Sequence, residues 1–547
     1  MASFTSKKSC FAGRPLNLCR QKNRTFQIKT YRYTANSTVR YETFYEIHRF
    51  GKECFKEPND MFSAVRIVAR TSSEKIVIVE GINETSEILA KAVKSAVANE
   101  IDWIDHLNAF HYKYYNFAIM LLGINNDEYN EFFSFMIKDV RNITEILKAI
   151  ATARTESDFG DLVISYSELW CAKLFKYACD QYHASKHEDI ELRVAIMDTR
   201  DIVVVNHKKD VLHKSCDNKT LLWYSEQCEP HVIVATEHLA KTDYGKTTRI
   251  GNNAICAVLA SIFQVSKVVL WTDHNGVYSA DPSIVSDARC LEKISFEDAR
   301  HLINLPINQE DSNDDNEVII SSIDMIYVRN MFNQNDKGTT IINEENIVLD
   351  TESTTLHPYV TGFSLTKNVD VIIIQFANIA SKKTERLSNT CSILGEGGVE
   401  ILMINGSSYD NRVNILVRSE DREKVNTIFE TPHVQEQLNI QFYDLFEDCS
   451  IINAYGYIDA CIVSCIIGNM ASKSIYEIIS LSLNDSSRLD IVVKTSHADD
   501  ALRAAHYAYY DQYLPIIKSY DKEQTETEGY EGCDNEFGSE IDVEQYY

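Results

Sequence analysis

Short apolar runs alternate with longer segments in which apolar residues recur every three or four positions. The runs at 46–50, 75–79, 192–196, 232–234 and 268–270 read as buried strands, the first of them running into a glycine turn at Gly51. Between them, 61–70 has helical spacing and 86–155 is mostly helical by period, with Ile101, Ile104, Leu107 and Phe110 on one apolar face. The segment 158–175 has a polar start that leads into a buried helix. Gly245-Lys-Thr-Thr-Arg-Ile-Gly251 precedes an apolar helix at 254–263, and a glycine turn feeding a helix can hold an anion or be a plain connection. A helix with a Ser cap and early acids is expected at 294–302, and closing strands at 326–330 and 338–341. Strands alternating with helices argue for an α/β fold with a parallel-rich sheet over residues 44–342.

From about 359 to 513 the rhythm changes. Strands are expected at 369–376, at 396–404 after a turn, and at 414–417, followed by a helix at 421–430. A similar order recurs as a strand at 460–467, a helix running into a strand at 472–483, a strand at 489–493 and a helix at 498–510. These are two weakly similar α+β units of βαββαβ type, placed at 359–440 and 441–513. Residues 343–358 read as a linker, 308–317 as an acidic solvated loop, and 514–547 as an acidic disordered tail.

Charge changes the picture at the ends of the chain. The net charge of −26 disfavours nucleic acid or an anionic membrane as the main partner. Residues 1–43 run against that balance, with nine Lys and Arg, many Ser and Thr, and no acid before Glu42. This composition fits an organelle transit leader, for plastid or mitochondrion, or a basic tail on a cytoplasmic protein. The 14 cysteines show no C-x-x-C pairing and read as reduced thiols in an intracellular compartment. No apolar run reaches the length of about 18 residues needed to span a membrane, and no cluster suggests a metal site.

The richest chemistry lies at 267–282. The strand 268–270 turns through Asn275-Gly276, and Trp271, Thr272, Asp273, Tyr278 and Asp281 surround that turn. Open α/β sheets bind ligands at the carboxyl ends of such strands, although a plain strand and turn with satisfied polar groups uses the same residues.

Trp271-Thr-Asp-His-Asn-Gly-Val-Tyr-Ser-Ala-Asp-Pro282 resembles the W-T-D-x-x-G-V-Y-T-A-D-P segment of aspartokinases, members of the amino-acid kinase family. Ser286-Asp-Ala-Arg289, Tyr327-Val-Arg-Asn330 followed by Gly338-Thr-Thr-Ile341, and Ile164-Ser-Tyr-Ser-Glu168 resemble other family motifs. The two C-terminal units resemble the family's paired ACT domains, one of which is inserted into the other, and Ile462-Val-Ser-Cys-Ile-Ile-Gly468 resembles a first strand of the second.

The resemblance implies an amino-acid kinase sandwich followed by two ACT-like domains. It also implies phosphorylation of L-aspartate, or a related small acid, with ATP and Mg2+, an amino-acid effector at the ACT domains, and a homo- or hetero-oligomer. On the nucleotide side it implies Thr272, Asp273, Tyr278, Arg329 and Asn330, with Arg329 in place of the family's lysine. It implies Arg49 at the catalytic lysine position, in Arg49-Phe-Gly-Lys-Glu-Cys54 instead of K-F-G-G-T-S. Arginine presents a planar fork where the family has a compact ammonium, and Lys52 replaces a glycine. Ser86, Glu168 and Arg249 are the implied substrate contacts. The G-R-G-G-S-D motif is not restored: the best register puts Ile250 at its Arg position and Ala254 at its Asp position, with Arg249 one residue away. These losses leave open a catalytically impaired relative acting as a nucleotide-binding or regulatory subunit.

Each site residue also admits a structural role. Asp273 and Asn330 can cap turns. Glu168 can be a satisfied helix-start acid, Tyr278 a core ring, and Arg49 a solvated strand-end charge.

Overall fold

The computed structural model describes residues 45–69, 73–124, 126–155, 159–186, 192–227, 229–251, 254–265, 267–302, 323, 325–342, 359–377, 383–406, 411–484 and 487–516. The leader 1–43, the acidic loop 308–317, the linker 343–358 and nearly all of the tail 514–547 lie outside these residues.

The first eleven strands are β1 (Glu46–Phe50), β2 (Lys75–Val79), β3 (Val194–Met197), β4 (Val204–Val205), β5 (Val232–Thr236), β6 (Leu239–Thr242), β7 (Thr247–Arg249), β8 (Lys267–Thr272), β9 (Lys293–Ser295), β10 (Met325–Asn330) and β11 (Thr339–Ile342). Eight of them form one sheet in the order β3-β5-β2-β1-β8-β10-β11-β9. Every neighbouring pair is parallel except β10 with β11. Such a sheet must be covered on both faces, which is why β2 and β5 are buried at every residue. Phe50, Val77, Val79, Val232, Val234, Val269 and Trp271 pack into a core with five helices. These are α1 (Pro58–Ala69), α2 (Thr85–Val97), α3 (Trp103–Leu122), α4 (Asp127–Ala153) and α5 (Gly160–Lys186). Alternation along the strands turns Ile47, Arg49, Ile78, Leu270 and Thr272 to the opposite face. There, α7 (Ala254–Phe263), which follows α6 (His213–Glu226), contacts β1 and is apolar on all sides, as a fully covered helix must be.

Two expectations here need correction. The glycine at Gly245 does not feed a helix; it turns a hairpin between β6 and β7, which with β4 makes a small separate sheet. Ile294 and Ser295 belong to β9, and the helix α8 spans only Phe296–Leu302; Ser295 still works at its start, accepting from the Asp298 amide at 3.0 Å.

The second sheet has six strands. They are β12 (Tyr359–Phe376), β13 (Ile401–Gly406), β14 (Arg412–Arg418), β15 (Ile440–Tyr457), β16 (Ile478–Asn484) and β17 (Arg488–Lys494), in the order β13-β14-β12-β15-β17-β16. β12 and β15 are each 18 residues long and lie antiparallel along their whole lengths. β14 adds to the second half of β12, while β17 adds to the second half of β15. Two cores result. Ile372, Ile374, Val413, Ile415 and Val417 pack with the helices Lys383–Glu396 and Arg422–Glu430. Val360, Phe363, Ile452, Leu489 and Ile491 pack with the helices Ala460–Ser472 and Ala498–Tyr507. The chain thus enters through one unit, builds the other, and returns to finish the first.

The expected strand at 460–467 is a helix. Its β-branched residues suggested extension, but the buried ones, Ile462, Ile466 and Met470, are four apart, and the Asp459 carboxylate caps it by accepting from the Ile462 amide at 2.9 Å. The strand that opens this unit lies earlier, in β15. The helix expected over the start of 472–483 is absent for the same reason: the preceding helix ends at Ser472, and Ser474 turns the chain in the left-handed region (φ 65°) toward β16.

Candidate active site

Five parallel strands end side by side, and each hands the chain to a polar residue: Arg49 to Gly51 after β1, Glu80 after β2, Glu237 and His238 after β5, Asp273 after β8, and Asn330 in β10. Arg49 and Thr272 share one face of the sheet by alternation, and Asn330 pairs with Thr272 in register.

On the β8–β10 side, polar groups bond within and between two adjoining turns. Thr272 Oγ1 donates to the His274 carbonyl (2.9 Å) and accepts from its amide (3.1 Å). Asn330 Nδ2 donates to the Asp273 carbonyl (3.2 Å) and to Asn275 Oδ1 (2.8 Å). Gly276 lets this turn lie against β11; at its φ of +149°, a Cβ would collide with Thr339 and Cys290. The Asp273 carboxylate meets Lys56 Nζ at 2.7 Å. Burial alone would raise the Asp273 carboxyl, but Lys56 and His274 hold it below the usual carboxylate range. Tyr278 is partly exposed on a bridge to Cys290. Asp281 accepts from the amide of Ser283 (2.8 Å) and its hydroxyl (2.6 Å), an ordinary turn role. Arg329 pairs in register with Trp271, which lies in the core on the opposite face from Thr272. Its guanidinium stacks 5.7 Å from the Tyr327 ring, and its buried Nε has no hydrogen-bond partner among the described residues.

On the β1–β2–β5 side, charges are buried against one another. The Arg49 side chain is only 11% exposed, so it is not a solvated strand-end charge; it reaches Glu80 at 3.1 Å, Glu237 at 3.3 Å and Glu53 at 3.9 Å. Burial pulls the guanidinium pKa down, and the Glu237, Glu80 and Glu53 carboxylates more than reverse this, so the pKa is raised. After Gly51 the chain makes a single 3-10 turn, Lys52–Cys54, which folds the Glu53 carboxylate back over the glycine. Burial raises the Glu53 carboxyl, and Arg49 opposes the shift. The Lys52 amide donates to Glu80 (3.2 Å), and its ammonium pairs with Glu87.

Glu168 lies well inside α5 and is not a helix-start acid. Its fully buried carboxylate accepts from the amides of Glu237 (3.0 Å) and His238 (2.9 Å) and from Arg249 Nη1 (2.8 Å), and it faces His238 Nδ1 at 3.1 Å. Burial would lower the His238 pKa, but the hydrogen bond and charge of Glu168 raise it. Two oxygens with four partners are saturated. Arg249 is fixed further by its own amide, which donates to Asp161 at 3.1 Å. Ile250, at the position the family gives to arginine, is buried and apolar. Ser86 stands apart from this network, donating to Glu87 at 3.0 Å.

Arg49, Glu168 and Arg249 are therefore linked through Glu237 and His238, which the sequence reading missed, as it missed Glu80 and Lys56. A usable signal existed: 76–79 and 232–235 are apolar runs followed within two residues by a carboxylate, Glu80 and Glu237, the same pattern that singled out Asp273.

A sequence model of the amino acid kinase family matches residues 47–330, just over half of the chain, with both networks inside it. The chain belongs to the amino acid kinase family. Bifunctional aspartokinase/homoserine dehydrogenase 2 of Zea mays, a chloroplastic protein, is 26% identical over 482 residues, covering 85% of this chain and 50% of that one. The chain spans about half the length of the curated relatives it matches. Among solved structures, Escherichia coli aspartokinase III in complex with aspartate and ADP superposes with a TM-score of 0.68 at 16% identity, covering 85% of this chain and 99% of that one. Clostridium acetobutylicum aspartate kinase gives 0.62 at 16% identity, covering 85% and 100%. At such identities the likeness shows a shared fold: the amino-acid kinase domain and the paired α+β units that follow it.

Proposed function

We propose that this chain phosphorylates the side-chain carboxylate of L-aspartate with ATP, giving 4-phospho-L-aspartate and ADP. The observation that carries the reading is the row of strand ends on which Arg49, Thr272, Asp273 and Asn330 stand together, in a chain similar to aspartokinases over 85% of its length. Phosphoryl transfer is catalysed mainly by positioning and charge neutralisation. Asn330 and Thr272 hold the turn beside which a nucleotide would lie. Lys52 and Lys56 have side chains 40% and 50% exposed, and their pairs with Glu87 and Asp273 are of the weak surface kind. They can exchange those carboxylates for a triphosphate and supply the compact ammonium that Arg49 lacks. Among the described residues no three carboxylate, imidazole or thiol groups converge into a metal cage. Mg2+ commonly uses one or two carboxylates plus phosphates, and Asp273 fits as the protein ligand. Bound there, Mg2+ would neutralise phosphate charge. Ser86 and Arg249 are the proposed contacts for aspartate, Arg249 by sharing its guanidinium between Glu168 and the substrate.

The test is aspartate-dependent release of ADP by the full chain with Mg2+ and ATP. Release that saturates with aspartate supports the reading; nucleotide binding without turnover rejects it. One observation favours a second reading, a nucleotide-binding regulatory subunit: the Glu53 carboxylate lies over Gly51 beside Arg49, where the transferring phosphate would need to approach. Glu53→Gly separates the two. A gain in turnover of about tenfold, one unit of 1.4 kcal/mol, marks an active site held back by that carboxylate. Tight ATP binding with no turnover in either protein marks the regulatory subunit.

The unit formed by residues 359–366 with 449–513, and the unit 369–446 nested within it, are the proposed ACT-like modules, which revises the simple division at 440. An amino-acid effector, a homo- or hetero-oligomer and a plastid location, as in the chloroplastic plant relatives, complete the proposal. No described helix is long and apolar enough to cross a membrane.

A further inference from the structure

Cys461 and Cys465 are the closest pair among the cysteines, and the correction at 460–467 changes how they stand to each other. In an extended strand, residues four apart are about 13 Å from one another. In the helix Ala460–Ser472 they are neighbours on one face, with Cβ atoms about 5–6 Å apart. Both thiols are free; Cys461 is exposed and Cys465 half-buried. Both face the last helical turns of the described chain. Cys465 Sγ donates to the Ala508 carbonyl at 3.3 Å and lies 4.0 Å from Gln512 Oε1, an acceptor already held by Asn469 Nδ2 at 3.0 Å. The Tyr513 phenol senses both thiols: burial pushes it up, and Asp459, Cys461, Tyr509 and Cys465 push the same way.

Length decides what can join two such thiols. A disulfide needs Cβ atoms about 3.5–4.5 Å apart, closer than one helical turn sets them. An ion bridges a wider gap: with metal–sulfur bonds of about 2.3 Å, two thiolates in line with it stand about 4.6 Å apart. Among the described residues no third carboxylate, imidazole or thiol group completes a metal cage here. Zinc asks for four ligands, whereas thiolates select soft cations such as copper(I), which is content with two. The bridged dithiolate carries one net negative charge. Cys461 lies in the first turn of its helix, where the partial positive charge of the backbone favours an anion.

We propose that Cys461 and Cys465 form a two-coordinate site for a soft monovalent cation of the copper(I) class. Each thiol gives up its proton to solvent, and the ion bonds to both sulfurs with no change of oxidation state. The site lies on the closing helices of the chain, away from the strand ends, and does not rest on the kinase reading.

The experiment titrates the reduced full chain with copper(I) under anaerobic conditions against a chromogenic copper(I) chelator. X-ray absorption at one equivalent counts the sulfur neighbours of the bound ion. Two sulfur neighbours are expected in the wild type. Losing a group that merely supports a ligand costs a metal site about 10–100-fold in affinity, so losing one of two ligands should cost at least about a hundredfold. Cys461→Ser and Cys465→Ala are each expected to show that loss. Cys461 is exposed, so its substitution should leave the fold intact, and circular dichroism of each variant checks this. Cys290→Ser, which removes an exposed thiol elsewhere, should bind as the wild type does. The proposal is overturned if either helix variant, correctly folded, binds as the wild type does, if Cys290→Ser loses as much, if the ion has three or more sulfur neighbours, or if zinc competes on equal terms.

Discussion

At the ends of β8 and β10, polar side chains bond within and between two adjoining turns and stay partly open to solvent. At the ends of β1, β2 and β5, they are buried and bond to one another across five segments of the chain. Both arrangements satisfy the same requirement, that a polar group leaving water must find a partner. The first satisfies it with contacts inside and between two adjoining turns and one exposed ion pair, and leaves Asp273 and Lys56 free to be exchanged. The second commits Arg49, Glu237, Glu80 and Glu168 to each other, so any ligand that uses them must compete with an existing pair. Binding at the first region should be easily disturbed without harm to the fold; at the second, binding and stability are the same network.

That contrast can be broken most forcefully at Arg49. Arg49→Ala removes the guanidinium that pairs with Glu237, whose side chain is fully buried. A loss of about 3–5 kcal/mol is expected, the usual consequence of removing one partner of a buried pair. Urea denaturation should show a lower midpoint with an unchanged slope; a midpoint equal to wild type would mean that the network is not structural.

The next largest effect is expected at Glu168. Glu168→Gln should cost about 1.5–3 kcal/mol, the range for hydrogen bonds to a charged group. It should also remove a pH dependence. The His238 pKa is raised in the folded protein, so its contribution is fully present below the ordinary histidine value of about 6.5 and is lost as pH rises through the raised value. Melting temperatures taken across that window should fall with rising pH in the wild type and less steeply in Glu168→Gln. Parallel curves for the two proteins would remove His238 from the account.

The smallest effect should come from the open region. Lys56→Ala breaks an exposed pair, so stability should change by no more than about 1 kcal/mol. ATP affinity, read by calorimetry, should nevertheless fall about threefold to tenfold, a phosphate contact being lost. If ATP affinity were unchanged while stability fell, Lys56 would belong with the committed network.

The same contrast explains what the sequence could tell. Most of the open region is written in one local stretch, 267–282, so its strand, its turn and much of its chemistry can be read together, while Lys56 and Asn330 come to it from elsewhere in the chain. The parallel sheet was legible for a related reason: β2 and β5 are continuous Val and Ile runs because both their faces are covered. The committed network was not legible, because Glu237 and His238 meet Glu168 from 69 and 70 positions away, and nothing local marks the meeting. Arg249 could be named but not its partner. The helix Ala460–Ser472 was misread because its β-branched composition outweighed the four-residue spacing of Ile462, Ile466 and Met470. The nesting of the two C-terminal units came only from the resemblance, and the boundaries set at 359–440 and 441–513 missed it, since strand pairing between 359–366 and 451–457 leaves no mark in either segment alone.

The long strand β12 carries a consequence for anyone who cuts this protein. Its first half, near Tyr359, is completed only by residues some ninety positions later, up to Tyr457. A fragment ending near 440 would leave that half with a bare row of amide and carbonyl groups, the kind of edge on which foreign chains stack. Proteolysis or premature termination there would not yield a tidy smaller protein with one regulatory unit. It would yield a sticky one, and only cuts before 359, or beyond the last helix, respect how the chain is woven.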